Sequence, residues 1–407
     1  MSISVVTADI GGTNARLQYW NKNQNSIQLV YRTTYRPSEY PDIVSLLKQF
    51  FTDCLPHSNV SSSAQTPSTF IPQKTVLAVC GPTWDNGRKN ESNNIPRWCV
   101  EGKAVSFHDA DHIEPLLSLP SHSLIFINDF EAIGYGIAAY LDTTVPDVCR
   151  PIPPISLHTS SVPSEPLAVA CCVGAGTGLG ACLVVPVTST SYRVLPSEAG
   201  MTDTISPRND KEYRLLQYLR KLYSENNSNN EAYSEIERIV SGPGISDIYT
   251  WLVTYEYNND NSKIINQEHK AIIDKADIED KAMYISQFAQ EKNDDICLEA
   301  IDIFLIFYGR FLATSAITFL SYGGLFIAGG ILPKLAWRVP CLSSLLTTSS
   351  PSNSTSTDSI PKNDVLLMNY LDGGSKMGNT INRINLYLLH DNDIGVKGCL
   401  YKAISMI

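Results

Sequence analysis

Apolar and polar positions alternate along the N-terminal stretch and then switch to a helical spacing. Residues 3–8 form a β-rich run that meets Asp9, Ile10, Gly11, Gly12, Thr13 and Asn14, and residues 15–20 alternate again. Strand, glycine turn and strand predict a hairpin. Between 42 and 51, Ile43, Val44, Leu46, Leu47, Phe50 and Phe51 recur as on one face of a helix. Residues 74–80 read as a buried strand stopped by Gly81 and Pro82. A second buried strand, 124–127, ends at Asn128 and Asp129, and a helical pattern follows over 130–141.

The same arrangement recurs further on. An apolar strand over 167–173 meets the glycine run 174–180, and 181–187 is again strand-like. The two hairpins lie about 165 positions apart, which predicts two related α/β halves facing one another. Helical patterns follow at 211–223 and 231–240, the second stopped by Gly242, Pro243 and Gly244. Residues 283–320 read as one or two long helices. Residues 325–328 read as a third buried strand, ending in Gly329 and Gly330. Polar stretches at 56–73, 224–235, 255–270 and 342–362 read as loop insertions.

Composition narrows the function classes. At 407 residues the length alone suggests two or three domains. A charged fraction of 18% beside 43% hydrophobics excludes a disordered acidic chain. The net charge of −10 and the lack of a basic run argue against nucleic acid as a partner, since phosphate neutralisation needs a basic face. Ten cysteines without a C-x-x-C spacing read as buried, reduced thiols, which suits the cytoplasm. No basic segment precedes the first strand, so no secretory leader is expected, and no apolar run reaches membrane-spanning length.

Several residues could carry chemistry. Glycines let backbone N–H groups approach a polyphosphate, so the Gly11–Asn14 turn, with the Thr13 hydroxyl, reads as a phosphate cradle. Asp9, at the strand end, could hold Mg²⁺ through water. The run at 174–180 contains a G-x-G-x-x-A match from Gly176 to Ala181, but it opens a strand rather than a helix, which excludes a dinucleotide fingerprint. A second phosphate cradle remains, with Gly174, Gly176, Gly178 and the Thr177 hydroxyl. Asp129 stands where a strand passes into a helix. It either caps that helix or takes a proton from a substrate hydroxyl, and the residues leave both open. Glu198 lies in a turn after a strand; Glu237, taken alone, reads as a solvated helix face. His108 and His112, with Asp109 and Asp111, have i, i+4 spacing but read as a solvated helix start before Pro115 rather than a metal site.

In order along most of the chain, these segments resemble those of bacterial-type glucokinase, in the hexokinase/actin-like ATPase superfamily. Asp9–Arg16 resembles the first phosphate motif, 127–130 the sugar and base motif, and 174–180 the second phosphate motif. Residues 195–198 resemble the sugar-binding loop, 237–244 the segment with a further sugar-contacting Glu, 324–331 the adenosine-side motif with Gly329 and Gly330, and 390–392 the C-terminal end. The resemblance implies a two-lobed actin-like ATPase (ribonuclease H-like) α/β fold with the active site in the interlobe cleft. Residues 1–139, completed by 391–407, would form the small domain, and 140–390 the large one. It implies ATP- and Mg²⁺-dependent phosphorylation of the glucose 6-hydroxyl, in a cytoplasmic homodimer. Asp129 would be the base, and Asn94, Asn128, Glu198 and Glu237 would grip the sugar. The chain departs from the family at Met201, where the sugar loop has a contacting His, and at Asn94, spaced one residue more loosely from Trp98. The alternatives are a kinase of another hexose or N-acetylhexosamine and a non-catalytic sugar sensor. Such sensors carry an added DNA-binding helix-turn-helix, for which a first strand at residue 3 leaves no room.

Overall fold

The computed structural model describes the chain except residues 1, 25, 58–69, 82, 84–96, 101–102, 107–109, 161–166, 225–234, 259–262, 343–363, 373–375 and 407, with backbone alone over 97–100 and 103–106. It divides into two compact units. One holds Met1–Pro153, Val184–Pro196 and Asp391–Ile407, and the other Pro154–Leu183 and Ser197–His390.

In the first unit, β1 (Ile3–Ile10), β2 (Ala15–Lys22), β3 (Ile27–Tyr35), β4 (Lys74–Val79) and β7 (Leu124–Asn128) form a sheet in the order β3-β2-β1-β4-β7. β1 and β2 are antiparallel, with Asp9 opposite Arg16, and β4 runs parallel to both β1 and β7. A separate hairpin pairs β5 (Arg97–Val100) with β6 (Lys103–Ser106). Strand alternation sends Val6, Ala8 and Ile10 of β1 into one core with Leu46, Leu47 and Phe50 of helix α1 (Ile43–Cys54). Asp42 starts α1 by accepting the Ser45 N–H at 2.7 Å. Full burial of Phe50 contributes about 2–3 kcal/mol relative to its exposure.

Asp9 points to the opposite sheet face, where the C-terminal helix Ile394–Ser405 packs on β1 and β4 and against α3 (Asp129–Leu141). Helix α2 (Ala110–Leu116) precedes β7. Its buried Glu114 accepts the N–H groups of His122 and Leu124. The C-terminal helix and α3 approach so closely that a Cβ on Gly398 would lie 1.8 Å from the Ala132 carbonyl oxygen.

The second sheet runs β11-β10-β9-β12-β13-β8, built from β8 (Ile155–His158), β9 (Ala170–Ala175), β10 (Leu179–Thr188), β11 (Ser191–Ser197), β12 (Leu325–Ala328) and β13 (Leu386–Leu388). Without the edge strand β8, both sheets place their strands as third, second, first, fourth and fifth in chain order. The duplication expected from the two glycine hairpins is therefore present in the topology. Helices α4 (Asp210–Ser224), α5 (Gly242–Trp251), α6 (Gln267–Lys275), α7 (Ile278–Glu291) and α8 (Asp295–Phe319) follow, with the short α9 (Ile331–Lys334) after β12 and α10 (Val365–Asp372) beyond it.

The apolar run expected as one or two helices is α7 and α8. Asn293, at φ +50°, breaks them apart, and Asp294 caps α8 by accepting the Ile296 and Cys297 N–H groups at 3.0 Å. Arg310, on the core-filling α8, makes a buried two-pronged ion pair with Glu212 of α4, at 2.8 and 3.0 Å. Among the described residues no helix is long and apolar enough to cross a membrane.

Two expectations are corrected. Glycine, proline and glycine at 242–244 do not stop a helix over 231–240; they begin α5. The Ser241 hydroxyl accepts the Gly244 N–H at 3.1 Å and Pro243 occupies the first turn, where its missing N–H costs nothing. Upstream, only a 3₁₀ turn, Ile236–Arg238, is formed, with 231–234 outside the described residues. The end of the polar stretch 255–270 is not loop, because Asn266 caps α6 from 267 on. Seven of the nine described cysteines are buried and all nine are free thiols, but Cys80 is exposed at the end of β4.

Candidate active site

In the first unit the β1–β2 turn is closed by Gly11 N–H donating to the Asn14 carbonyl at 2.9 Å, which leaves Thr13 and Asn14 exposed at its tip, with Gly12 between. Asp9 lies one residue before the end of β1, 3.6 Å from Arg16. Burial raises the Asp9 carboxyl above the ordinary carboxylate range; Arg16 lowers it and the negative charge of Asp393 raises it further. A Cβ on Gly395, at the start of the C-terminal helix, would lie 3.2 Å from Asp9 Oδ2, so a glycine there gives this carboxylate its room.

Of the two readings of Asp129, the cap is taken by its neighbour. Asn128 is the cap of α3: its Oδ1 accepts the N–H groups of Phe130 at 2.9 Å and Glu131 at 3.2 Å. Its Nδ2 donates to the Gly81 carbonyl at 3.0 Å. Asp129 is thereby the first helical residue, and its Oδ1 accepts the Phe130 N–H at 2.9 Å, which orients the carboxylate. Asn128, expected as a sugar ligand, also fixes this strand-to-helix corner. Asn94, His108 and Asp109 lie outside the described residues.

In the second unit the β9–β10 turn is closed by Gly176 N–H donating to the Gly178 carbonyl at 2.7 Å. The first N–H of α5, on Gly242, pins it by donating to the Gly176 carbonyl at 2.9 Å. Thr177 is exposed at the tip, and open space faces Gly176. Gly174 sits inside β9, buried opposite Ala328 of β12, away from the tip. Gly329, at φ +88°, lets β12 end against β9, where a Cβ would meet the Ala175 carbonyl at 2.3 Å. Open space faces Gly330.

Glu237 is not a solvated helix face. Half-buried on its 3₁₀ turn, it accepts the Leu179 N–H on Oε2 at 2.7 Å. A Cβ on Gly178 would stand 2.5 Å from that oxygen. Burial raises the Glu237 carboxyl; the Leu179 N–H and Arg238 lower it, and Glu235 and Glu198 raise it again. The Glu198 loop is tied to the same turn, since Ile236 N–H donates to the Thr202 carbonyl at 3.0 Å and Asp203 bridges to Glu235. Glu198 is exposed, and Met201, two residues beyond the loop's Ala199, is 40% exposed.

Beside the turn opens a cavity of about 670 Å³. One side offers Gly176, Thr177, Gly242, Gly330 and the exposed Lys334, while α7 contributes Ile278, Ala282, Met283, Ser286, Gln287 and Gln290. Ile278 and Met283 are 67% and 50% exposed, high for apolar side chains, because they face this space. The α7 residues and Lys334 escape sequence reading. Their signal is an apolar position left unburied on an otherwise ordinary amphipathic helix, and only the fold reveals that. Among the described residues no group of three or more His, Cys, Asp or Glu side chains is placed to hold a metal.

Paired sheets of one strand order, each with a glycine hairpin, define the actin-like ATPase (ribonuclease H-like) fold class. A family profile described as glucokinase matches residues 6–340. A glucokinase of Nostoc punctiforme is 30% identical over 81% of this chain and 85% of its own length. One of a Synechocystis strain is 31% identical over 82% and 86%. The crystal structure of a glucokinase from an Antarctic psychrotroph aligns over 99% of both chains with a TM-score of 0.66 at 21% identity. The chain belongs to the glucokinase family.

Proposed function

We propose that the chain transfers the γ-phosphoryl group of ATP to the 6-hydroxyl of glucose, in the cytoplasm and as a homodimer. The observation that carries the reading is the joining of three things within the second unit. A glycine turn with an exposed hydroxyl is hydrogen-bonded to Glu237, whose charge Glu198 feels, and the same turn lines a cavity with an apolar wall. Membership of the glucokinase family supports the same reading.

The cavity suits a nucleotide. Ile278, Ala282 and Met283 offer an apolar wall for a purine, and the glycine turn and Lys334 offer donors for phosphates. Glu198 and Glu237 suit a neutral polyol, because sugar hydroxyls donating to both carboxylates relieve the repulsion between them. Asp129, oriented by the Phe130 N–H, accepts the proton of the attacking hydroxyl as the bond to phosphorus forms. Asn128 has one Nδ2 hydrogen beyond its cap bonds for a sugar oxygen. Asp9 fits Mg²⁺: it is an oxygen donor, and a cation would offset both its burial and the charge of Asp393. When bound, Mg²⁺ supplies charge neutralisation on the phosphates.

A coupled assay of ADP release, run with glucose, mannose, fructose and N-acetylglucosamine, tests the reading together with Asp129→Asn. Glucose is expected to give the highest kcat/KM, and the variant to lose about 10²–10⁴-fold in kcat at near-normal glucose KM. Release of ADP independent of any sugar, or a variant within tenfold of wild-type kcat, would overturn it.

A further inference from the structure

Glu237 has two carboxylate oxygens in different circumstances. Oε2 accepts the Leu179 N–H, the first backbone donor after the β9–β10 turn, at 2.7 Å. Oε1 has no hydrogen-bond partner among the described residues, and Glu198 faces the group electrostatically. The turn itself is held at three points. Gly176 and Gly178 close it on each other, Gly242 pins the Gly176 carbonyl, and Glu237 holds the residue that follows. The first two are backbone contacts, insensitive to any ligand. The third runs through a side chain.

The space on the Oε2 side of that side chain is tight. A Cβ on Gly178 would lie 2.5 Å from Oε2, so the glycine exists at this position as much for the carboxylate as for the turn. On the far side a Cβ on Gly200, in the loop that carries Glu198, would lie 2.0 Å from the Leu179 carbonyl oxygen. Leu179 thus meets the Glu237 side chain at its N–H and the backbone of the Glu198 loop close to its carbonyl. A shift of the carboxylate strains or breaks its bond to Leu179, the residue that leads directly out of the turn.

We infer that Glu237 is a positioning residue that couples sugar binding to the nucleotide: a sugar hydroxyl on Oε1 fixes the carboxylate, and the fixed carboxylate holds the β9–β10 turn in the shape that receives phosphate. The inference rests on the sugar-kinase reading above and deepens it. Without sugar, the half-buried carboxylate is held by one backbone bond and repelled by Glu198. With sugar, it gains a donor that outweighs the repulsion. The two ligands then favour each other, and by linkage the factor is the same in both directions. Such coupling also favours ATP binding in the productive order and limits turnover on water.

The test measures binding of a non-hydrolysable ATP analogue by calorimetry, with and without glucose. In the wild type, saturating glucose is expected to tighten the analogue about five- to tenfold. In Glu237→Ala the analogue binds about tenfold more weakly without glucose, as expected on loss of a hydrogen bond to a charged group, and the glucose effect disappears. In Glu237→Gln the amide oxygen still accepts the Leu179 N–H, so analogue binding without glucose stays within about twofold of wild type while glucose binding weakens. Gly178→Ala keeps the carboxyl group but pushes Oε2 off the Leu179 N–H, because a Cβ 2.5 Å away forces it to shift, and is expected to reproduce the loss of coupling with glucose affinity reduced less than in Glu237→Ala. Circular dichroism and melting temperature confirm that each variant is folded.

Wild-type coupling retained in both Glu237→Ala and Gly178→Ala would overturn the inference. So would a loss in Glu237→Gln as large as in Glu237→Ala for the analogue alone. The sugar-kinase reading fails separately: wild-type protein that binds no hexose sinks that reading, while the sugar-free analogue arm still reports on the Leu179 brace.

Discussion

Gly398→Ala sets two physical effects against each other. In a helix interior, alanine is favoured over glycine by about 1 kcal/mol, so propensity alone predicts a more stable protein. In this fold the new Cβ would lie 1.8 Å from the Ala132 carbonyl oxygen, 2.7 Å from Gly136 N and 2.8 Å from the Ala132 carbonyl carbon, all backbone of α3. No rotamer relieves a backbone clash, and Gly136 already faces Ile394 across the same crossing, so the two helices must separate. Overpacking costs about 1–3 kcal/mol, and a contact with rigid backbone belongs at the upper end. Subtracting the propensity gain leaves a net loss of about 2 kcal/mol. For a unit of this size each kcal/mol moves Tm by about 2–4 °C, so scanning calorimetry should show the first unit melting about 4–8 °C lower. A Tm equal to or above wild type would refute the reasoning, because it would mean that propensity outweighs the close helix crossing.

Glu212→Gln leaves the buried Arg310 guanidinium without its counter-charge and should cost about 3–5 kcal/mol at neutral pH. Burial raises the Glu212 carboxyl, but Arg310 and the Arg208 N–H outweigh it and the net shift is downward from 4.5. The pair's stabilisation is thus complete above pH 4.5 and lost as pH falls through the lower folded value; urea midpoints of wild type and variant should converge on acidification, and a gap constant with pH would contradict this. Asp9→Asn should raise the Mg²⁺ concentration giving half-maximal activity by at least tenfold, and an unchanged Mg²⁺ titration would remove Asp9 from that role. Met201→His should lower the glucose KM by about two- to tenfold through one added hydrogen bond, with no gain for a sugar altered where that bond falls; equal gains for every hexose would count against a specific contact.

Much of the fold is legible in the chain because its signals are local. The two glycine hairpins announce the duplicated sheets, and the spacing of Leu46, Leu47 and Phe50 announces α1. At Ser241–Gly244 the sequence is ambiguous, because glycine and proline mark both helix starts and stops. Only the Ser241 cap tells the two apart. Candidate residues are legible where a residue type and a turn coincide, as at Thr13 and Asp129 in the first unit and Thr177 in the second. They are illegible at α7 and Lys334, whose contribution comes from distant segments meeting around one cavity.

By itself the sequence determined the order of elements, the two glycine turns and the set of carboxylates. Those depend on backbone freedom and on apolar periodicity, which are properties of neighbouring residues. Tertiary structure decided which partners each polar side chain meets. Asn128 takes the cap and leaves Asp129 at the start of α3, and Glu237 is drawn from an apparent surface turn to the back of the β9–β10 hairpin. A side chain's role is set by the partners its hydrogen-bonding atoms meet; the Asn128 cap is local, but one further partner of each of these side chains lies tens of residues away. Leu179 stands 58 positions from Glu237, and Gly81 47 positions from Asn128. Only the packed chain brings them within 3 Å.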